Sequence, residues 1–235
     1  MAVVDDPADL TFDEFVLAAS TDDLGEESGA RSVADAVEFR MDLADGDPVE
    51  ALRAYDGALP VIATNRVRAE GGEAPAGPER TDALIEAVGC DGVAAVDVEL
   101  SAVQAGGGRH VLNEAADADV TTIVSVHDFE RTPAAERMRD HLESAAEVGD
   151  VAKLAVTAEG AGDVLDLLTV THDLTRARES VATMAMGEAG RHSRAVAPLY
   201  GSRIGYAPVD PDDATAPGQY DLETLAHLVD SLREQ

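Results

Sequence analysis

Residues 121–156 read TTIVSVHDFERTPAAERMRDHLESAAEVGDVAKLAV. The stretch opens on a short β-branched run, Thr121–Phe129. It then passes into Pro133–Glu147, where apolar residues recur at helical spacing, and returns to a second short apolar run at Val151–Val156. Strand, amphipathic helix and strand in succession make a βα unit, the repeat from which parallel sheets are built.

The alternation extends in both directions. Further strands begin near Phe15 (FVLAAS), Ala36 (AVEFRMDL), Leu59 (LPVIATNR), Gly92 (GVAAVDVEL), Ser180 (SVATMAM) and Ser202 (SRIGYAPV), which with the two above makes eight, the number a closed barrel needs. Helical patterns at Asp82–Val88, Ala161–Thr171 and Tyr220–Arg233 lie between or after them. An open doubly wound sheet would carry a glycine-rich turn after its first strand; here that turn reads STDDLGEESGA, without GxGxxG. The Gly106–Gly108 run reads as a loop and is a weak phosphate cradle. The expected fold is therefore α/β, a (β/α)8 TIM barrel spanning residues 1–235 as a single domain. With the first strand beginning near residue 15, little or no N-terminal hairpin can close its floor.

The chain has 235 residues, 45% of them hydrophobic, enough for one full core. Its 47 acidic and 17 basic residues give a formal net charge of -30. That charge repels phosphate backbones and anionic membranes, so neither nucleic acid nor membrane is an expected partner. All but one of the basic residues are arginine, and the acids are spread throughout. Such a surface suits concentrated salt, where the Debye length shrinks to roughly 3 Å and mutual repulsion costs little. We expect a halophile's cytoplasmic protein that loses activity in dilute buffer; full activity after prolonged dialysis against low salt would contradict this. Cys90 is the lone cysteine, so no intrachain disulfide forms, and no histidine pair has metal-ligand spacing with a third partner. The acidic N-terminus does not read as a signal peptide, and no apolar run approaches the roughly 20 residues of a membrane helix.

In a parallel barrel, functional groups project inward from the C-terminal ends of strands, where a charge costs burial energy unless it serves a purpose. Glu38, Arg40 and Asp42 share one face at the end of the second strand, as a solvated edge, a buried ion-pair network or part of a site. Arg66 with Glu70 follows the third strand, and Asp97 and Glu99 end the fourth as supporting partners. His127 ends the fifth, where a general base could work. His192 falls in a loop near Arg194 and could line the site.

Lys153, in the sixth strand, is the only lysine. A lysine at a strand end can reach solvent, but wherever this chain needed a surface cation it used arginine. Burial disfavours an ammonium and favours the nucleophilic amine, and arginine cannot deprotonate to form an imine.

The blocks Glu38-Phe39-Arg40-Met41-Asp42, Thr64-Asn65-Arg66 with Glu70-Gly71-Gly72, Ser125-Val126-His127-Asp128-Phe129 with Thr132-Pro133, Lys153-Leu154-Ala155-Val156, Met184-Ala185-Met186-Gly187 with Gly190 and Ser193-Arg194, and Gly201-Ser202 with Ala216-Pro217-Gly218-Gln219 occur in one order. Together they resemble type I 3-dehydroquinate dehydratase, a shikimate-pathway lyase that converts 3-dehydroquinate to 3-dehydroshikimate and water. The resemblance implies Lys153 as the imine-forming lysine, His127 as the acid/base and Glu70 as the group that orients it. It implies that Arg194 and Gln219 bind the substrate carboxylate and that Glu38, Arg40 and Arg66 hold the ring hydroxyls. Thr215 would contribute a hydroxyl where bacterial members more often carry serine. No cofactor or metal is implied, the partner is the small-molecule substrate, and a homodimer is compatible with it. Because the substrate is an anion, Arg40, Arg66, Arg194 and Lys153 are expected to make the site locally positive. Rival readings are another Schiff-base barrel of the class I aldolase type and a non-catalytic metabolite-binding barrel.

Overall fold

The computed structural model describes residues 10–210, 216 and 218–233. The eight apolar runs form eight parallel strands: β1 (Val16–Thr21), β2 (Ala36–Arg40), β3 (Val61–Thr64), β4 (Val93–Glu99), β5 (Thr121–Asp128), β6 (Val151–Thr157), β7 (Val181–Met186) and β8 (Ile204–Pro208). Each strand pairs with its sequence neighbour from β1 to β7, and β8 pairs with β1. The seam between β7 and β8 is bridged instead of laddered. Arg203 N–H donates to the Val181 carbonyl at 2.8 Å, and the Ser202 hydroxyl accepts from Thr183 N–H at 2.9 Å. The strands thus close into the expected (β/α)8 barrel.

The inner face divides into two levels. Val16, Ala36, Ile62, Ala95, Ile123, Val151, Ala182 and Ile204, one residue from each strand, join one buried apolar cluster, and Phe12 packs into it ahead of β1. Residues 10–15 form no strand, and Phe12 among them plugs the floor of the barrel. Further along the strands the inward residues turn polar: Ser20, Glu38, Arg40, Thr64, Asp97, Glu99, Ser125 and Lys153 are all buried. An apolar floor and a polar upper level put the chemistry at the C-terminal ends.

The phase of β4 depends on an irregularity. Val61 pairs with Val93, but Ile62 pairs with Ala95, so the register shifts by one residue between them. Because side chains alternate, that shift places Ala95, Asp97 and Glu99 inward while Val93 stays in the outer core.

Outside the strands, the helices Pro78–Val88, Ala135–Ala146 and Ala161–Arg176 bury Leu84, Met138, Leu142, Leu167 and Leu174 against the barrel. Helix Leu222–Arg233 packs Leu225 and Val229 on a cluster with Leu17 and Ala207. Two sequence readings need correction. The Gly106–Gly108 run is the start of helix Gly107–Asp117, and a Cβ at Gly108 would lie 2.6 Å from Val103 N, so the glycine serves close helix packing. The second strand ends at Arg40; Asp42 lies in the following turn, yet its side chain remains fully buried beneath Arg40. No helix among the described residues is long and apolar enough to cross a membrane.

Candidate active site

The upper end of the barrel holds a small cavity lined by Glu38, Arg40, Arg66, Glu70, His127, Lys153, Arg194 and Gln219 together with Met184, Met186, Phe129 and Tyr206. Eight of the nine residues picked from the sequence converge there. The ninth, Thr215, lies outside the described residues. His192 is exposed and does not line the cavity.

Lys153 is 4% exposed, and its Nζ lies 2.9 Å from Asp97 Oδ2 and 3.8 Å from Glu38 Oε1. Asp97 is shared: its Oδ2 also pairs with Arg66 at 2.8 Å and its Oδ1 accepts from Ser125 Oγ at 2.6 Å. Burial alone would raise the Asp97 pKa, but Arg66 and Lys153 on either side overcome it and hold the carboxyl well below the usual range. A carboxylate fixed in this way sets the position of the lysine nitrogen. Glu38 is likewise held, accepting from Ser20 Oγ at 2.6 Å and Thr64 Oγ1 at 3.1 Å.

His127 stands two residues beyond Ser125, the residue paired with Lys153, and so lies one level nearer the mouth on the adjacent strand. Its Nδ1 is 3.1 Å from Glu70 Oε2, and Glu70 Oε1 accepts from Ser101 Oγ at 2.9 Å. A carboxylate at Nδ1 calls for the proton there, which leaves Nε2 as the basic atom. Burial, with Arg66 and Lys153 close by, pushes the His127 pKa well below 6.5, which favours the neutral ring at neutral pH. The turn that carries Glu70 depends on Gly71, at φ +82; a Cβ there would collide with the Phe129 ring, which covers this side of the site.

Arg40 makes a bidentate pair with Asp42 through Nε at 2.9 Å and Nη2 at 2.8 Å. Arg66 is committed to Asp97 and Glu99. The expectation that four cations make the cavity positive is therefore corrected, because Arg40, Arg66 and Lys153 are each neutralised by a buried carboxylate. Arg194 differs. It is 4% exposed, and its Nε and Nη2 have no hydrogen-bond partner among the described residues. Burial lowers its pKa to about 10, and no acid among the described residues opposes it. Ser193 fixes it in place: the serine Oγ accepts from Ala185 N–H at 2.8 Å, pinning helix Ser193–Val196 to β7. Gln219 reaches the same cavity on a turn in which its Oε1 accepts from Ala216 N–H at 3.0 Å. Gly218, at φ +77, lets that turn rest on Gly187, whose carbonyl oxygen would lie 2.6 Å from a Cβ there.

The sequence of residues 16–235 matches the family described as type I 3-dehydroquinase. The chain belongs to that family. It is 54% identical over 228 residues to the 3-dehydroquinate dehydratase of Haloarcula marismortui, with 95% of this chain and 99% of the relative covered. It is 52% identical to that of Halobacterium salinarum, over 95% of this chain and all of the relative. Its barrel superposes with a TM-score of 0.81 and 25% identity on a type I 3-dehydroquinate dehydratase from Clostridium difficile carrying covalently modified comenic acid. That match covers 93% of this chain and 92% of the other. Halophilic relatives at this identity agree with the salt-adapted composition.

Asp97, expected as a supporting hydrogen-bond partner, is one: it accepts from Lys153 Nζ at 2.9 Å. Two features around this dehydratase's cavity escaped sequence reading. Ser20 and Ser101, which hold the two glutamates, are short side chains with no signal of their own. Tyr206 lies 4.0 Å by ring centroid from Lys153 Nζ; alternation along β8 from Ile204 would have put it on the same face as that core residue.

Proposed function

We propose that the cavity dehydrates 3-dehydroquinate to 3-dehydroshikimate through an imine on Lys153, with His127 as acid and base. The observation that carries this reading is the convergence in one cavity of a buried lysine, a histidine held by Glu70, and a guanidinium with no partner at Nε and Nη2 among the described residues. The substrate's carboxylate occupies Arg194 and Gln219. Its ring hydroxyls meet Glu38 and Arg40, while Arg66 acts through Asp97.

The substrate is a β-hydroxy ketone, and the proton beside its carbonyl is only weakly acidic. The Lys153 ammonium first gives up a proton, and the amine adds to the ketone; loss of water leaves a protonated imine, a stronger electron sink. His127 Nε2 removes the adjacent proton to give an enamine. The enamine expels the β-hydroxyl, which takes that proton back from His127 and leaves as water. Hydrolysis of the conjugated imine releases the product and restores the lysine. We also propose that the whole chain works as one catalytic unit in a salt-rich cytoplasm.

Incubation with 3-dehydroquinate and borohydride in high salt tests this. A mass increment on Lys153, with conjugated-enone absorbance in the absence of reductant, is the expected result; an unmodified lysine in a turning-over enzyme would sink it. Arg194 supplies a second check. Replacing it with methionine, Arg194→Met, removes an unpaired buried charge, so the thermal midpoint should rise. KM should rise about 10- to 100-fold, the value of a lost hydrogen bond to a charged group. An unchanged KM would remove Arg194 from substrate binding.

A further inference from the structure

Tyr206 brings into the cavity a group that this chemistry leaves unused. It is 4% exposed, its ring faces the lysine nitrogen, and its hydroxyl is buried with no hydrogen-bond partner among the described residues. Burial, with Glu38 and Asp97 near, pushes its pKa well above 10, so the phenol keeps its proton and serves as a donor.

The ring has an explanation in the attraction of a cation to its face. Phenylalanine would offer the same face without an unpaired donor, which is costly to bury. The hydroxyl therefore points to an acceptor that arrives with the substrate. The ring sits against Nζ, so the acceptor nearest to it is the oxygen on the carbon that Nζ attacks.

We propose that Tyr206 is a further substrate-contacting residue, whose hydroxyl donates a hydrogen bond to the ketone-derived oxygen while its ring steadies the Lys153 nitrogen. The inference rests on the imine reading of Lys153. In the addition, the nitrogen–carbon bond forms and the carbonyl π pair moves onto oxygen, where a proton from the nitrogen neutralises it. The carbon–oxygen bond then breaks, and the oxygen leaves as water with a second proton, the one His127 took from the ammonium. Tyr206 transfers no proton; it stabilises the oxygen while charge gathers there.

Tyr206→Phe separates the hydroxyl from the ring. In molar salt its thermal midpoint should equal or exceed the parent's, with KM within about twofold. Both kcat and the rate of borohydride trapping should fall about tenfold, the scale of one neutral hydrogen bond made on the way to the transition state. Tyr206→Leu, which also loses the ring, should trap more slowly still. An unchanged kcat in Tyr206→Phe overturns the proposal, as does a rise in KM alone or an activity loss that follows a lowered midpoint. The two readings fail differently. If the parent enzyme traps no adduct, the lysine assignment is wrong; if the parent traps and Tyr206→Phe traps equally fast, only the tyrosine assignment is.

Discussion

Lys153→Ala is expected to lose turnover on the order of 10⁶-fold, the scale on which a covalent nucleophile is missed, and to give no trapped side-chain adduct. The chain has no second lysine, so no neighbouring side-chain amine can substitute, and any residual reductive adduct must be at the N-terminus. Alanine leaves Asp97 paired with Arg66, so the carboxylate is not stranded and the barrel should still fold. Lys153→Arg makes the argument sharper. It keeps a cation beside Asp97 and over the Tyr206 ring but removes an amine that can deprotonate. If the lysine acted only as a charge, the arginine variant would recover part of the rate; the imine reading requires it to be as inactive as alanine.

The surface and the site of this enzyme obey opposite rules. Arginine replaces lysine everywhere outside the cavity, and acids outnumber bases by 47 to 17. Inside, buried carboxylates neutralise three of the four cations, which on the proposed reading leaves Arg194 to attract the anionic substrate. The distinction was only half legible in the sequence. Alternation in β2 put Glu38 and Arg40 on one face, a place at a strand end singled out His127, the lack of any other lysine singled out Lys153, and the count of apolar runs gave eight strands. Pairing across the barrel could not be read that way. Whether Arg66 faces a substrate or Asp97 depends on the register of β4, which a one-residue irregularity opposite Val61 and Ile62 decides. Nothing in the local sequence marks that shift. Tyr206 was overlooked for a different reason: one aromatic residue in an apolar strand looks like core until its neighbour is known to be Lys153.

His127→Ala should lose turnover about 10²- to 10⁴-fold while still forming some imine, so borohydride trapping on Lys153 persists where product release does not. Removing the base after the electron sink has formed lets the covalent intermediate accumulate, which mass spectrometry of the unreduced enzyme can detect. The pH profile of the parent enzyme gives the complementary test. Burial and the nearby cations hold the His127 pKa well below 6.5. In the free enzyme the base form is therefore already complete at neutral pH, and kcat/KM, which reports the free enzyme, should lose no activity to this ring there. As pH falls, kcat/KM should decline only below the ordinary histidine range, where the ring takes up its proton. A limb centred at or above 6.5 would contradict a His127 pKa held down by burial. A His127→Ala variant that keeps the parent's acid limb at reduced kcat/KM would show that the working base is another group.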